Sequence, residues 1–332
     1  MINLKAKLNP KLFDKNIEQK PTRDGYGEGL VLAGKENPSV VVLCADLSDS
    51  TRSAMFQKEF PDRFIECGIA EQNMMDVAAG LALAGKIPFV STYAVFCPGM
   101  NWSQIRVSVL QNDANVKITG AHAGISVGPD GMSHQGLEDI ALTRCLPGLI
   151  VLAPCDYIET RKATLAAARI RGAVYLRFSR EKTPVITTEE TSFEIGKAEI
   201  FRQGKNVSII ACGPLVYEAL KAAEELAREG IEAEIINNHT IKPMDEKTIL
   251  DSVKKTGCAV TVEEHQTMGG MGSAVAEILA KNYPAPIKMI GMKDRFGESG
   301  GPNELLKAFG LTAENIIEAV KKVVSKRVTR NA

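Results

Sequence analysis

Short apolar runs alternate with longer segments of mixed character along the whole chain. The runs 39–47 (SVVVLCADL), 87–93, 115–124, 149–154 and 172–179 are nearly continuous, as in strands buried on both faces. Between them, 69–85, 99–112 and 157–170 read as amphipathic or small-residue helices. This alternation predicts a mostly parallel, doubly wound α/β sheet with helices on both sides. Over 179–206 the chain turns polar, with one Pro, two Gly and no long helix between its short strand-like pieces. That change of texture marks a domain boundary, giving a first domain over 1–190 and a second over 191–332. A second series follows, with strands expected at 207–213, 231–240, 258–264 and 287–292 and helices at 215–229, 245–255, 271–281 and 313–325. The polar end, 325–332, is expected to be loose.

Composition narrows the function classes. With 40 acidic and 40 basic residues, no net field draws the chain to nucleic acid or to an anionic membrane. The seven cysteines are scattered, without a CxxC pair or a histidine at metal-ligand spacing, as suits buried thiols in a reducing compartment. No secretory leader and no membrane span is legible, so a soluble, cytoplasmic protein is expected.

The candidate chemistry sits where strands end, the place where open α/β sheets collect ligands. "ADLSDSTR" supplies Asp46, Ser48, Ser50 and Arg52, and reads equally well as a turn with a helix cap. "STYAVFCPGMNW" gathers Tyr93, Phe96 and Trp102 in a chain with few aromatics, enough for a wall against a flat ring, although core packing is the default for each. "GAHAGISVGPDGMSHQG" holds His122, Asp130 and His134 among five glycines, which let backbone approach a ligand closely. Glu71 heads an otherwise apolar, small-residue helix. It is either an ordinary first-turn acid facing the helix dipole or a carboxylate holding a proton for a ligand. "EEHQTMGGMGSAVAE" approximates a dinucleotide fingerprint, but Val275 replaces the third glycine, and close helix–strand packing accounts for Gly270 and Gly272. His239 and His265 read as loop or interface residues.

Taken in order, "ADLSDST", "FIECGIAEQNM", "TYAVF", "GISVGPDGMSHQGLEDIALTRCLPGL" and "FSR" resemble the transketolase family, across its pyrimidine-binding and C-terminal domains and over essentially the whole chain. The resemblance implies a smaller C-terminal α/β domain with a mixed sheet. It implies thiamine diphosphate as cofactor, with Glu71 hydrogen-bonded to N1′ of the aminopyrimidine, Tyr93 and Phe96 in the ring wall, Trp102 as a third aromatic, and Asp46 also on the cofactor side. His134 would meet the donor's reacting hydroxyls and Asp130 the neighbouring one, while Arg23, Ser50, His122 and Arg180 would grip a sugar phosphate. The cofactor carries the carbanion chemistry and the protein supplies orientation and proton handling.

One part of the family pattern is missing. No GDG motif occurs, so the diphosphate and its Mg2+ (or Ca2+) are assigned to an N-terminal partner subunit, and no metal ligand is expected here. The resemblance therefore implies the C-terminal subunit of a split transketolase in an α2β2 heterotetramer. It would contain a homodimer of this chain and act on sugar phosphates of the pentose phosphate pathway. Alternatives are another thiamine enzyme, such as a deoxyxylulose-phosphate synthase-like protein or a 2-oxoacid dehydrogenase β subunit, and a non-catalytic scaffold subunit.

Overall fold

The computed structural model describes residues 1–328. A seven-stranded sheet runs in the order Phe64–Glu66, Val40–Cys44, Ile87–Tyr93, Lys117–Ala121, Val174–Arg177, Ile150–Leu152 and Thr240–Lys242. Its first six strands are parallel and the last is antiparallel. The continuous apolar runs have the predicted consequence. Val40 and Val42 face a core shared with Tyr26, Leu30 and Ala163, while Val41 and Leu43 face one shared with Met74, Met75 and Ala78. The helices Thr22–Glu36 and Tyr157–Arg169 therefore cover one face and Glu71–Leu83 the other.

The helix Thr22–Glu36 is not legible in the sequence, because four glycines in fifteen residues argue against it. Packing overrides propensity here. A side chain at Gly25 would run into the Tyr157 carbonyl, and one at Gly29 would meet Thr164, so the glycines set how closely this helix lies on Tyr157–Arg169. The expected helix over 99–112 is also different. A single turn, Trp102–Gln104, passes into a π-helical stretch, Ile105–Leu110, after an irregular Pro98–Gly99 lead-in.

The second sheet runs Ile287–Met292, Ala259–Gln266, Val207–Ala211, Ala233–Asn237 and Glu199–Arg202, mixed because only Glu199–Arg202 is antiparallel. The run 231–240, expected as one strand, is divided. Ala233–Asn237 stays in the second sheet, whereas Thr240–Lys242 crosses to pair with Ile150–Leu152 in the first. The two parts are further joined at the N terminus, where Asn3 N donates to Phe201 O at 2.9 Å and Ala6, Leu12 and Ile17 enter the core beneath the second sheet. Among the described residues no helix is long and apolar enough to cross a membrane. The 325–332 segment expected to be loose begins within the helix Ala313–Val328, and its last four residues lie outside the described ones.

Candidate active site

The carboxyl ends of the first sheet bring most of the singled-out residues to one edge. Strand Phe64–Glu66 leads through Gly68, in a left-handed turn with φ 67°, into the helix that starts at Glu71. One oxygen of Glu66 accepts N–H groups from Asp46 at 2.8 Å and Gly68 at 2.9 Å, tying the two neighbouring strand ends together. Glu71 is 4% exposed. Among the described residues its carboxylate accepts only from Thr92 Oγ1, at a long 3.3 Å, while Asn101 Nδ2 donates to its backbone carbonyl at 3.3 Å. A buried carboxylate so sparsely bonded has acceptor capacity left for a ligand.

Beside Thr92 stands a cluster of four rings. Tyr93 stacks on His122 with centroids 4.0 Å apart and lies 5.8 Å from Phe96, and the His134 ring meets both edge-on, at 6.1 Å from Tyr93 and 5.6 Å from Phe96. Trp102 stands apart from these ring contacts. Its indole N–H donates to Leu142 O at 2.8 Å and its ring packs on the core beneath the Glu71 helix.

The basic residues converge through a local device the sequence did not reveal. Thr22 Oγ1 donates to Ser179 O at 2.9 Å and accepts from Ser179 N at 2.8 Å, fastening the start of the helix Thr22–Glu36 to the "FSR" strand end. Arg23 and Arg180 are thereby held on one side of the site. Arg23 Nη1 donates to Ser50 O at 3.0 Å, Arg52 Nε pairs with Asp24 at 2.7 Å, and Arg180 Nη1 donates to Val127 O at 3.2 Å and to Asp130 at 3.0 Å. Burial first, and then the charge of Arg52, holds the Arg23 guanidinium below its usual range. His122 is 1% exposed, and burial together with the charges of Arg23 and Arg180 pushes its pKa down to about 3. Among the described residues, His122 Nδ1 and Arg23 Nε are both buried without a hydrogen-bond partner, and the neutral imidazole lies within the field of Arg23 and Arg180. That donor set suits an anion with several oxygens.

Gly124, Gly128 and Gly131 take the positive φ expected in 120–136, and each backs onto the second part of the chain. Their missing side chains would meet the Glu264 carboxylate, Gly300 and Pro302, and Ser299 respectively. The stretch that approximates a dinucleotide fingerprint is closed as well. Glu263 accepts from Met271 N at 2.7 Å and Gly272 N at 2.8 Å, so an internal carboxylate fills that helix N-terminus. Burial raises the Glu263 carboxyl to about 7. His265 is an interface residue as read, accepting from Ile140 N at 3.1 Å across the junction, and His239 is buried against Phe193.

Residues 18–185 match the family described as "Transketolase, pyrimidine binding domain", and residues 196–316 match "Transketolase, C-terminal domain". The chain belongs to the transketolase family. Among its relatives in this family is a "Putative transketolase C-terminal section" from Methanocaldococcus jannaschii, 47% identical over 92% of this chain and 97% of that protein. A "6-deoxy-6-sulfo-D-fructose transketolase subunit" from Clostridium sp. is 40% identical over 95% of this chain and 98% of its own length. Human transketolase is 38% identical, and there the match covers only 49% of the longer protein. A solved structure titled "Split gene transketolase, inactive beta4 tetramer" superposes with a TM-score of 0.87 at 46% identity, covering 92% of this chain and 99% of that one.

Proposed function

We propose that this chain is the pyrimidine-side subunit of a two-chain transketolase, which moves a two-carbon ketol unit from a ketose phosphate to an aldose phosphate. Family membership implies thiamine diphosphate dependence, and the bound cofactor would supply the carbanion chemistry of the transfer. The observation that carries the reading is the buried, sparsely bonded Glu71 carboxylate next to Thr92, one residue from the Tyr93 ring. In this reading Glu71 holds the proton at ring nitrogen N1′, and Tyr93 and Phe96 offer ring faces to the pyrimidine. Asp46 lies on the cofactor side, held by Glu66 at the adjoining strand end. His134, its Nδ1 2.9 Å from Ser133 Oγ, handles a proton at the donor's oxygens, and Asp130 reads the neighbouring hydroxyl. Arg23, Ser50, His122 and Arg180 take the terminal phosphate. Trp102, bonded to Leu142, is left out of the ring wall.

The diphosphate, its divalent ion and the GDG motif fall to an N-terminal partner, within an α2β2 assembly. The structural relative is titled an inactive β4 tetramer, and this chain alone is likewise expected to be inactive. The relative named for a sulfonated fructose favours a second substrate class, because a sulfonate presents the same three-oxygen anion to the arginine cluster. The test mixes this chain with its partner, thiamine diphosphate, Mg2+ and an aldose phosphate acceptor, and follows two-carbon transfer to that acceptor from a ketopentose phosphate and from 6-deoxy-6-sulfofructose. Glu71→Gln is expected to abolish turnover while leaving assembly intact. Full activity in that variant would remove Glu71 from the mechanism.

A further inference from the structure

The stretch from Gly124 to Leu137 carries Asp130 and His134 at its outer end, where Asp130 and Met132 are exposed and His134 is half-exposed. Its stems bond each other, Gly124 N donating to Gly136 O at 2.9 Å, and are held from outside by several residues of the second part of the chain. Ser126 N donates to Glu264 Oε1 at 2.6 Å, with both groups buried. Gln135 Nε2 donates across the neck of the loop to Ile125 O at 3.1 Å and outward to Glu298 O at 2.9 Å. Beyond the loop, Gln266 N donates to Leu137 O at 2.9 Å. The three positive-φ glycines lie against the second part of the chain, Gly124 on Glu264, Gly128 on Gly300 and Pro302, and Gly131 on Ser299. Within the first domain, Arg180 bonds Val127 O and Asp130, and the His134 ring meets Tyr93 and Phe96 edge-on.

These contacts are matched in shape as well as in hydrogen bonding. A side chain at Gly297 would collide with the Gln135 amide, and one at Gly124 would displace the Glu264 carboxylate. Glu264 thus sits in a slot made by the absence of a side chain on the loop, and Gln135 in one made on the opposite domain. Such reciprocal fit fixes the loop's height over the sheet edge, since neither partner has room to slide.

We infer that the second domain positions the substrate-facing loop, with Glu264 and Gln135 as positioning residues that set where Asp130 and His134 stand. This rests on the reading that those two residues meet the donor sugar. Neither Glu264 nor Gln135 is placed against substrate, so their effect passes through the loop backbone. Misplacement of a reacting group by about an ångström costs on the order of a hundredfold in rate.

The test uses the full chain in two settings, with Glu264→Ala, Glu264→Gln and Gln135→Leu. Hydrogen exchange on the chain alone reads loop order without any turnover. Kinetics with the partner subunit, thiamine diphosphate and Mg2+ read the consequence. Glu264→Ala and Gln135→Leu are expected to speed exchange over 124–137 while the strands keep their protection, and to raise the donor KM about tenfold or more. Glu264→Gln retains a carbonyl acceptor for Ser126 N–H and is expected to recover most of the loss. Unchanged loop exchange in both disrupting variants would overturn the inference. So would a loss of protection spread evenly over both domains with donor KM unaltered. Selective loosening of the loop in the two disrupting variants, together with a wild-type assembly that transfers no ketol unit, would uphold the positioning role while sinking the proposed reaction.

Discussion

Tyr93 lies on His122 with ring centroids 4.0 Å apart and planes 27° apart. This pair joins the aromatic wall to the arginine cluster, and burial beside the arginines keeps the imidazole neutral. Protonated, the ring would add a buried positive charge beside Arg23 and Arg180, and its pKa of about 3 keeps it uncharged near neutral pH. His122 also adopts a left-handed φ of 55°, which asparagine tolerates better than most replacements. His122→Asn is therefore expected to fold, losing both the stack and the ring nitrogens. KM for phosphorylated donors should rise about tenfold, the loss of roughly one charge-assisted hydrogen bond. Unphosphorylated donors should be affected less, and an equal effect on both would remove His122 from the anion site.

Arg180 bonds Asp130 at 3.0 Å and Val127 O at 3.2 Å, so one side chain touches both the anion cluster and the substrate loop. Arg180→Ala should weaken phosphorylated and sulfonated donors together. It should also loosen discrimination between epimers at the hydroxyl assigned to Asp130. Arg180→Lys would restore charge without the planar fork, and is expected to recover affinity only in part. Steady-state kinetics with paired epimeric donors checks this; selectivity unchanged in the alanine variant would uncouple the two residues.

Two glycines in helices make opposite predictions for stability. At Gly25 an added side chain would strike the Tyr157 carbonyl, part of the backbone of a packed neighbouring helix. Gly25→Ala is expected to cost about 1–3 kcal/mol or more and to lower the melting temperature, since backbone cannot rotate away. Gly80, in the helix Glu71–Leu83, has nothing within 4 Å of an added Cβ. Gly80→Ala is expected to stabilise the isolated chain by up to about 1 kcal/mol through helix propensity. Thermal unfolding of the two variants side by side decides both.

How far the sequence was legible follows from which interactions are local. Runs such as 39–47 and 207–213 announced buried strands because burial on both faces leaves a continuous apolar signature. Glu71, Tyr93 and His122 were readable as strand-end or helix-start chemistry and Arg180 only through the family resemblance, and all four lie toward the carboxyl ends of the first sheet. The helix carrying Arg23 was hidden, because its glycines answer to Tyr157 and Thr164, more than a hundred positions away. The protein surfaces that Gly124, Gly128 and Gly131 approach were hidden for the same reason, since they belong to Glu264 and 299–302. Trp102 looked like a companion to Tyr93 and Phe96 by proximity, but the irregular turn after Pro98 directs its N–H to Leu142. The division of 231–240 between two sheets had no local marker beyond the polar pair Asn237–Asn238.

His239 supplies a pH dependence separate from catalysis. The ring is buried against Phe193, its Nδ1 lies 3.0 Å from Thr240 Oγ1, its Nε2 has no partner among the described residues, and burial lowers its pKa to about 4 from an ordinary 6.5. Above pH 6.5 the ring is neutral whether the chain is folded or not, and its burial carries no proton penalty. As pH falls from 6.5 toward 4, the unfolded chain takes up a proton that the folded chain refuses. Stability is lost over that window, by up to about 3 kcal/mol, and levels off below it. Glu159 and Glu263, both raised to about 7 by burial, act in the opposite direction between about 4.5 and 7, favouring the folded state as pH falls. The difference between wild type and His239→Gln isolates the histidine, because both proteins keep the two glutamates. Denaturant titrations at pH 7.5 and pH 4.5 should show the wild type losing more stability than the variant by about 2–3 kcal/mol. Equal losses would mean that His239 accepts its proton in place, with the Phe193 contact opened to water.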